Sequence, residues 1–337
     1  MSLSTTVIGL PLAERFTIAR ESWDIATNVF VAVRYDDEVG VGEANPGGPV
    51  WDESPESVVA ELDGVDLGRL SGPFDLEGLA ALFPPGSARS ALDIAMHDLA
   101  AKLAGVSVAE LLGVAGRRLP PTSVTVPIND PDKMVERAAA HAGHPVLKMK
   151  VGFDGDVDAV RAVRDVFDGR IRIDANEGWD EDQAITRLNQ LERFDVELCE
   201  QPLPSGNHKG LSRVSESTSI PVIADEDVCT SSDVVALVGM VDGVNLKLRK
   251  AGGVRETVRA IAVARAHEMK VMLGCDLESG IAATAQASVA ALVDFADLDG
   301  PLLLAADPFP GVAYDNGTMT LPRGPGLGIA RFPDELG

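Results

Sequence analysis

Lysine is scarce in this chain, with eight in 337 residues, and three of the eight sit where they raise a chemical question. Lys148, Lys150 and Lys247 each lie at the end of a short apolar segment. Three carboxylates, Asp174, Glu200 and Asp225, end three further segments of the same kind, 26 and 25 residues apart. Carboxylates gathered at one place repel unless a cation joins them. A hard, oxygen-preferring dication such as Mg²⁺ suits this set, and the absence of histidine or thiolate from it argues against zinc. A carbon whose carboxylate rests on such a cation is acidified. With an amine on each of its faces, a proton can leave one side and return to the other. Lys150 and Lys247 are the expected pair. Lys148, beside Lys150 and the cation, is expected to hold its neighbour partly neutral. Asn176, next to Asp174 in Asp174-Ala175-Asn176, is a candidate substrate contact.

These residues need a scaffold that brings strand ends together. Apolar segments at Val124–Val126, Val146–Val151, Ile171–Ala175, Glu197–Glu200, Val222–Asp225, Val244–Leu248 and Val271–Gly274, with a weaker eighth near Leu298, recur roughly 22 to 27 residues apart. Each interval holds a strand, a helix and two turns, and eight such units make an α/β barrel with its active site at the C-terminal strand ends. Alternation places Lys148 and Lys150 on one face and Met149 on the other. The second and sixth strands stand opposite in a ring of eight. The lysines therefore face each other across the mouth, with the carboxylates on the arc between. Upstream, 28–33 predicts a strand, Gly40-Val41-Gly42 a turn, and Ala88–Leu112 one helix stopped by Gly113. Leu119-Pro120-Pro121 reads as a linker, and strand and turn character returns from Asp307. The expected division is a capping domain at 1–117, the barrel at 118–306 and a tail at 307–337 that rejoins the cap.

Composition narrows the function. The formal charge is −23, which disfavours nucleic acid and anionic membrane surfaces as partners. No apolar run is long enough to span a bilayer. Three scattered cysteines, Cys199, Cys229 and Cys275, and no leader-like N-terminus predict a cytoplasmic, reducing setting. There is no Gly-x-Gly-x-x-Gly turn after a strand and no nucleophile elbow. His141 and His144 read as surface residues, His97 as structural, Cys199 as core, and Asp180-Glu181-Asp182 as a helix N-terminus.

Lys148-Met149-Lys150, Asp174-Ala175-Asn176, Glu200-Gln201-Pro202, Ala224-Asp225-Glu226 and Asn245-Leu246-Lys247-Leu248 together resemble the enolase superfamily, in its muconate-lactonising subgroup. The resemblance extends to 91–99 and to Pro325-Gly326-Leu327-Gly328-Ile329. It implies a modified (β/α)7β TIM-type barrel under an α+β cap, Mg²⁺ as cofactor, abstraction of a proton next to a carboxylate, and often a homo-oligomer. Asp297-Leu298-Asp299-Gly300-Pro301 is similar to the Asp-x-Asp signature of dipeptide epimerases, whose two aspartates bind the substrate's terminal ammonium. The eighth strand lies opposite the fourth, a span that suits a dipeptide. Specificity is expected in Arg20–Asp24, Pro49–Asp52 and Cys275–Glu278. Glu21 falls at or beside the place where members acting on Ala-Glu offer an arginine, with Arg20 adjacent. Asp276 adds an acid, and with Glu21 and Asp24 it points to a pocket for cationic or polar side chains. The leading expectation is a dipeptide epimerase working by 1,1-proton transfer. A muconate-type cycloisomerase, an o-succinylbenzoate synthase or an N-acylamino-acid racemase would use the same lysines and metal without needing Asp297 and Asp299. A non-catalytic barrel that binds small molecules is the reading from another class.

Overall fold

Alternation along one strand divides the N-terminal region between two cores. The computed structural model describes residues 1–47 and 50–330. Strands β1 (Ser2–Thr17), β2 (Ser22–Tyr35) and β3 (Glu38–Ala44) form an antiparallel sheet in that order. Val29, Val31 and Val33 of β2 pack into one cluster with Leu92, Ala95, Met96 and Leu99. Phe30, between them, joins the larger core that surrounds the barrel and lies 5.0 Å from the Phe309 ring.

Two upstream expectations need correction. Gly40-Val41-Gly42 is not a turn but the body of β3, the turn being made at Asp36, whose φ is 51°. The glycines are there for contact. A Cβ at Gly42 would lie 1.9 Å from the Ala91 carbonyl oxygen, so the sheet rests directly on helix backbone. The single helix expected over Ala88–Leu112 is two helices, Ser87–Ala104 and Val108–Leu111. Gly105, at φ +70°, ends the first, and Ser107 starts the second through a capping box with Glu110.

Eight parallel strands follow: β4 (Val124–Val126), β5 (Val146–Lys150), β6 (Arg170–Asp174), β7 (Val196–Glu200), β8 (Val222–Ala224), β9 (Gly243–Leu246), β10 (Lys270–Gly274) and β11 (Phe295–Asp297). They pair in chain order, and a bridge from Thr122 to Ala296 joins the last to the first. The longer helices between them run over Pro131–Ala140, Asp156–Arg164, Glu181–Leu191, His208–Glu216, Ser231–Leu237, Val254–Ala266 and Gly280–Val289. Seven helices for eight strands is the (β/α)7β pattern. Asp180 caps its helix in a box with Gln183, as the acidic run predicts. Outward residues such as Met149, Ile173, Cys199 and Leu273 pack in the large core, while Leu198, Ile223 and Met272 form a small separate cluster with Phe295 packed on it.

The hairpin β12 (Ala313–Asp315) and β13 (Thr318–Thr320) lies by the N-terminal ends of β4 and β5, where the Thr122 amide donates to the Gly317 carbonyl at 3.0 Å. There it meets His144, which is buried and bonded through Nδ1 to the Val146 carbonyl at 2.9 Å, and so is not a surface residue. The tail reaches the cap further on: the Leu327 amide donates to Asp98 at 2.7 Å. Pro49 and the last seven residues of the expected tail lie outside the described residues. Among the described residues, no helix is long and apolar enough to cross a membrane.

Candidate active site

Strand register sets the first row of the site. Lys150 on β5 stands level with Asp174 on β6, which stands level with Glu200 on β7. Asp225 follows the end of β8 and Lys247 the end of β9. All three carboxylates are buried. Lys150 Nζ lies 2.6 Å from Asp174, and Lys247 Nζ lies 2.9 Å from Asp225 on the far side. Lys148 Nζ, one step deeper, is 3.0 Å from Asp174, 2.7 Å from Glu200 and 2.6 Å from Asp297. The ring geometry thus brings the six expected residues together.

Burial is the largest effect on each of these groups, and the lysines overcome it at Asp174 and Asp225 but not at Glu200. Burial opposes ionisation of Asp174, but Lys150 and then Lys148 outweigh it and hold the carboxyl at about 2. Burial opposes ionisation of Asp225 as well, and Lys247 and Lys250 hold it well below the usual range. Burial pushes Glu200 up to about 8, with repulsion from Asp174 adding to it. Lys148 stays charged against burial because Asp297, Glu200 and Asp174 surround it. Among the described residues no acidic, histidine or cysteine side chains are drawn into a closed metal cage, because ammonium groups stand between these carboxylates. The donors are nevertheless all carboxyl oxygens. Beside them Asn176 Oδ1 and Glu226 Oε2 are buried without a hydrogen-bond partner. Such a set fits a hard divalent cation.

Several supporting residues carried no assigned role from sequence. Asn245 donates to Glu200 at 2.7 Å, and the Gln201 side chain accepts from the Asp225 amide at 2.8 Å. Lys250 is buried and bonded to Asp225. Its signal was present as a fourth lysine three positions after Lys247. Asn176 and Glu177 both take positive φ, 43° and 66°, an uncommon left-handed pair that turns the chain just past β6.

A cavity of about 380 Å³ opens above this floor, between the strand ends and the cap. Asp297 and Asp299 line the side opposite β7. Asp297 accepts from Ser123 at 2.5 Å as well as from Lys148, and Asp299 accepts from the Thr125 amide at 2.7 Å. Burial, reinforced by Asp297, lifts Asp299 to about 6. On the cap side the specificity expectations are revised. Asp24 faces away from the cavity: Trp23 and Ile25 line it, and period-two alternation turns Asp24 to solvent, 3.4 Å from Arg15. Glu21 lines the rim, exposed, while Arg20 reaches down to Glu226 at 2.8 Å and also pairs with Glu177. Asp276 is in the wall, but it is taken by Arg249, whose Nε and Nη2 donate at 2.8 and 3.3 Å. The three acids do not converge into a pocket for cationic side chains.

A two-domain barrel with opposed lysines around a carboxylate floor defines a class of enzymes that move protons beside carboxylates. Residues 3–113 match the model of the Mandelate racemase / muconate lactonizing enzyme N-terminal domain, and residues 132–334 match the Enolase C-terminal domain-like model. The chain belongs to this family, the mandelate racemase / muconate lactonizing enzyme branch of the enolase superfamily. An L-Ala-D/L-Glu epimerase of Bacteroides thetaiotaomicron is 36% identical over 330 residues, covering 96% of this chain and 86% of that one. Among solved structures, a substrate-liganded L-Ala-D/L-Glu epimerase from Bacillus subtilis superposes with a TM-score of 0.92 at 30% identity, covering 98% and 99% of the two chains. A dipeptide epimerase from Cytophaga hutchinsonii, complexed with Mg and D-Ala-L-Val, gives 0.91 at 30% identity, covering 100% and 98%.

Proposed function

We propose that this protein is a dipeptide epimerase that inverts the α-carbon of the C-terminal residue by 1,1-proton transfer. The observation that carries the reading is the pair Lys150 and Lys247, which line one cavity from strands four places apart in the ring. Relatives named as dipeptide epimerases, similar along nearly their whole length, support it. In this reading the cap (1–117) shapes the site, the barrel (118–306) supplies the chemistry, and the tail (307–337) belongs with the cap, none of its described residues lining the cavity.

Asp174, Glu200 and Asp225 would hold Mg²⁺, which when bound neutralises charge building on the substrate carboxylate. Lys247, kept in its charged form by Asp225 against the effect of burial, is ready to donate a proton from its face. Lys150 accepts one on the other, and the roles exchange in the reverse direction. Lys148 is fixed by three carboxylates and holds the floor together. Asp297 is already compensated by Lys148, whereas Asp299 has no ion pair among the described residues. Asp299 is therefore the carboxylate left to receive the substrate's ammonium. That feature favours a dipeptide over the anionic substrates of a cycloisomerase or an N-acylamino acid, which carry no ammonium. Three free cysteines support a reducing, cytoplasmic setting.

The test is deuterium uptake from D₂O into L,L-dipeptide pools with Mg²⁺, read by mass spectrometry. A gain of one mass unit, abolished by chelation and restored by Mg²⁺, is expected. No uptake in any pool would remove the reading and return the weight to cycloisomerase or dehydratase chemistry.

A further inference from the structure

We propose that the cap selects an uncharged, apolar side chain on the C-terminal residue of the dipeptide. This rests on the epimerase reading and specifies its substrate. Loss of the α-proton makes the carbon planar, with its plane perpendicular to the line joining Lys150 and Lys247. One substituent in that plane, the carboxylate, points toward Asp174, Glu200 and Asp225. A second, the amide nitrogen, points toward Asp299 on the opposite wall. The third, the side chain, is then left with the barrel axis. Below, the barrel is filled by Lys148, Arg172, Leu198, Ile223 and Met272, all buried. The side chain must rise into the cap.

The cap offers it apolar surface. Phe16, Trp23, Ile25 and Val50 of the cap line the cavity, as does Leu277 past the end of β10, and the polar cap residues Thr27 and Asn45 among them carry no charge. Ile25 is 55% exposed, an uncovered apolar surface that a substrate side chain would take out of water. The charged groups at this level are already committed. Arg20 compensates Glu226 and Glu177, whose side chains are only 5% and 12% exposed. Recruiting Arg20 to an acidic substrate would leave both carboxylates uncompensated. Asp276 is held at two points by Arg249, so a basic substrate finds no free acid in the wall. Glu21, at the rim, is exposed to water that screens it. A charged side chain would thus be desolvated without a partner, whereas an aliphatic or aromatic one gains contact.

The experiment measures kcat/KM for α-proton exchange in D₂O with L-Ala-L-Leu, L-Ala-L-Phe, L-Ala-L-Glu and L-Ala-L-Lys, with Mg²⁺ present throughout. The apolar pair should exceed both charged substrates by about tenfold or more, the size of effect a hydrophobic pocket commonly gives. Ile25→Lys should shrink or reverse the Leu-over-Glu ratio, mainly through KM. Exchange that is as fast with L-Ala-L-Glu or L-Ala-L-Lys as with L-Ala-L-Leu would overturn the selectivity and leave the epimerase reading standing. Exchange with none of the four, nor with any wider dipeptide pool, would remove both.

Discussion

Replacing Asp276 with alanine tests whether the Arg249–Asp276 pair keeps charge out of the specificity pocket. Arg249 is only 6% exposed, and its Nη1 already lacks a partner. Asp276→Ala removes the acceptor at 2.8 and 3.3 Å and leaves the guanidinium bound to nothing on that edge. Breaking a fully buried pair by deleting one partner costs about 3–5 kcal/mol. Here the Asp276 side chain is 14% exposed and faces the cavity, so water reaches the orphaned cation. We expect about 2–3 kcal/mol, read as a lower urea midpoint at unchanged slope. The double variant Arg249→Met/Asp276→Ala should recover most of the loss, because it removes the buried charge together with its partner. The single variant should also gain activity toward L-Ala-L-Glu relative to L-Ala-L-Leu, by about tenfold for one charge-assisted hydrogen bond. A single variant within about 0.5 kcal/mol of the parent would refute the reasoning, as would a double variant no more stable than the single.

Lys150→Ala and Lys247→Ala should each lower epimerisation by about 10²–10⁴-fold while leaving circular dichroism unchanged, since Lys148 still compensates Asp174 and Lys250 still compensates Asp225. Each should exchange the α-proton of one epimer only, and a rate above about a hundredth of the parent's would exclude the assignment. With Asp299 lifted from 3.8 to about 6, kcat/KM should rise as pH passes through about 6, and Asp299→Asn should abolish that step. The same shift sets a stability trend. A raised folded pKa stabilises the native state below the unfolded value, and that contribution is lost as pH climbs through the folded one. Asp299→Asn should therefore relieve up to about 3 kcal/mol at pH 8, measured by urea unfolding across pH. Gly42→Ala, which drives a Cβ into the Ala91 carbonyl, should cost about 3 kcal/mol or more and lower the thermal midpoint, and a midpoint equal to the parent's would contradict the contact.

The barrel and its floor were legible because two periodicities coincide there. Strand alternation fixes which residues face inward, and the unit length of the βα repeat fixes how often a strand ends. Lys150, Asp174, Glu200, Asp225 and Lys247 need no more than that to be placed. The cap resisted the same treatment. Gly40 and Gly42 carry a turn's composition but serve backbone contact, which only the partner helix reveals. The break at Gly105 was available in the sequence, since Ser107 and Glu110 form a capping box, but the apolar spacing runs through it and hides it. Specificity failed for a different reason. The charges of Arg20 and Asp276 are plain in the sequence, yet their partners, Glu226 and Arg249, come from other strand ends 206 and 27 positions away. A residue type shows what it can bind, and only the fold shows what it has already bound.

The placement of the lysines has a practical consequence for labelling. Lys148, Lys150 and Lys250 are buried, and Lys102 and Lys247 are partly so, which leaves Lys133, Lys209 and Lys270 as the exposed lysine side chains. The first two ride on helices flanking the barrel, and the third begins β10, at the end of the barrel away from the mouth. Brief treatment with an amine-directed ester should modify these three and the N-terminus first. The same chemistry used to couple the protein to a surface would grip it by its flanks and base, with the cavity turned toward solution. Acylation of the buried Lys148 and Lys250 then becomes a clock for opening of the barrel, and substrate that slows acylation of Lys247 in the cavity wall would be seen without any turnover being measured.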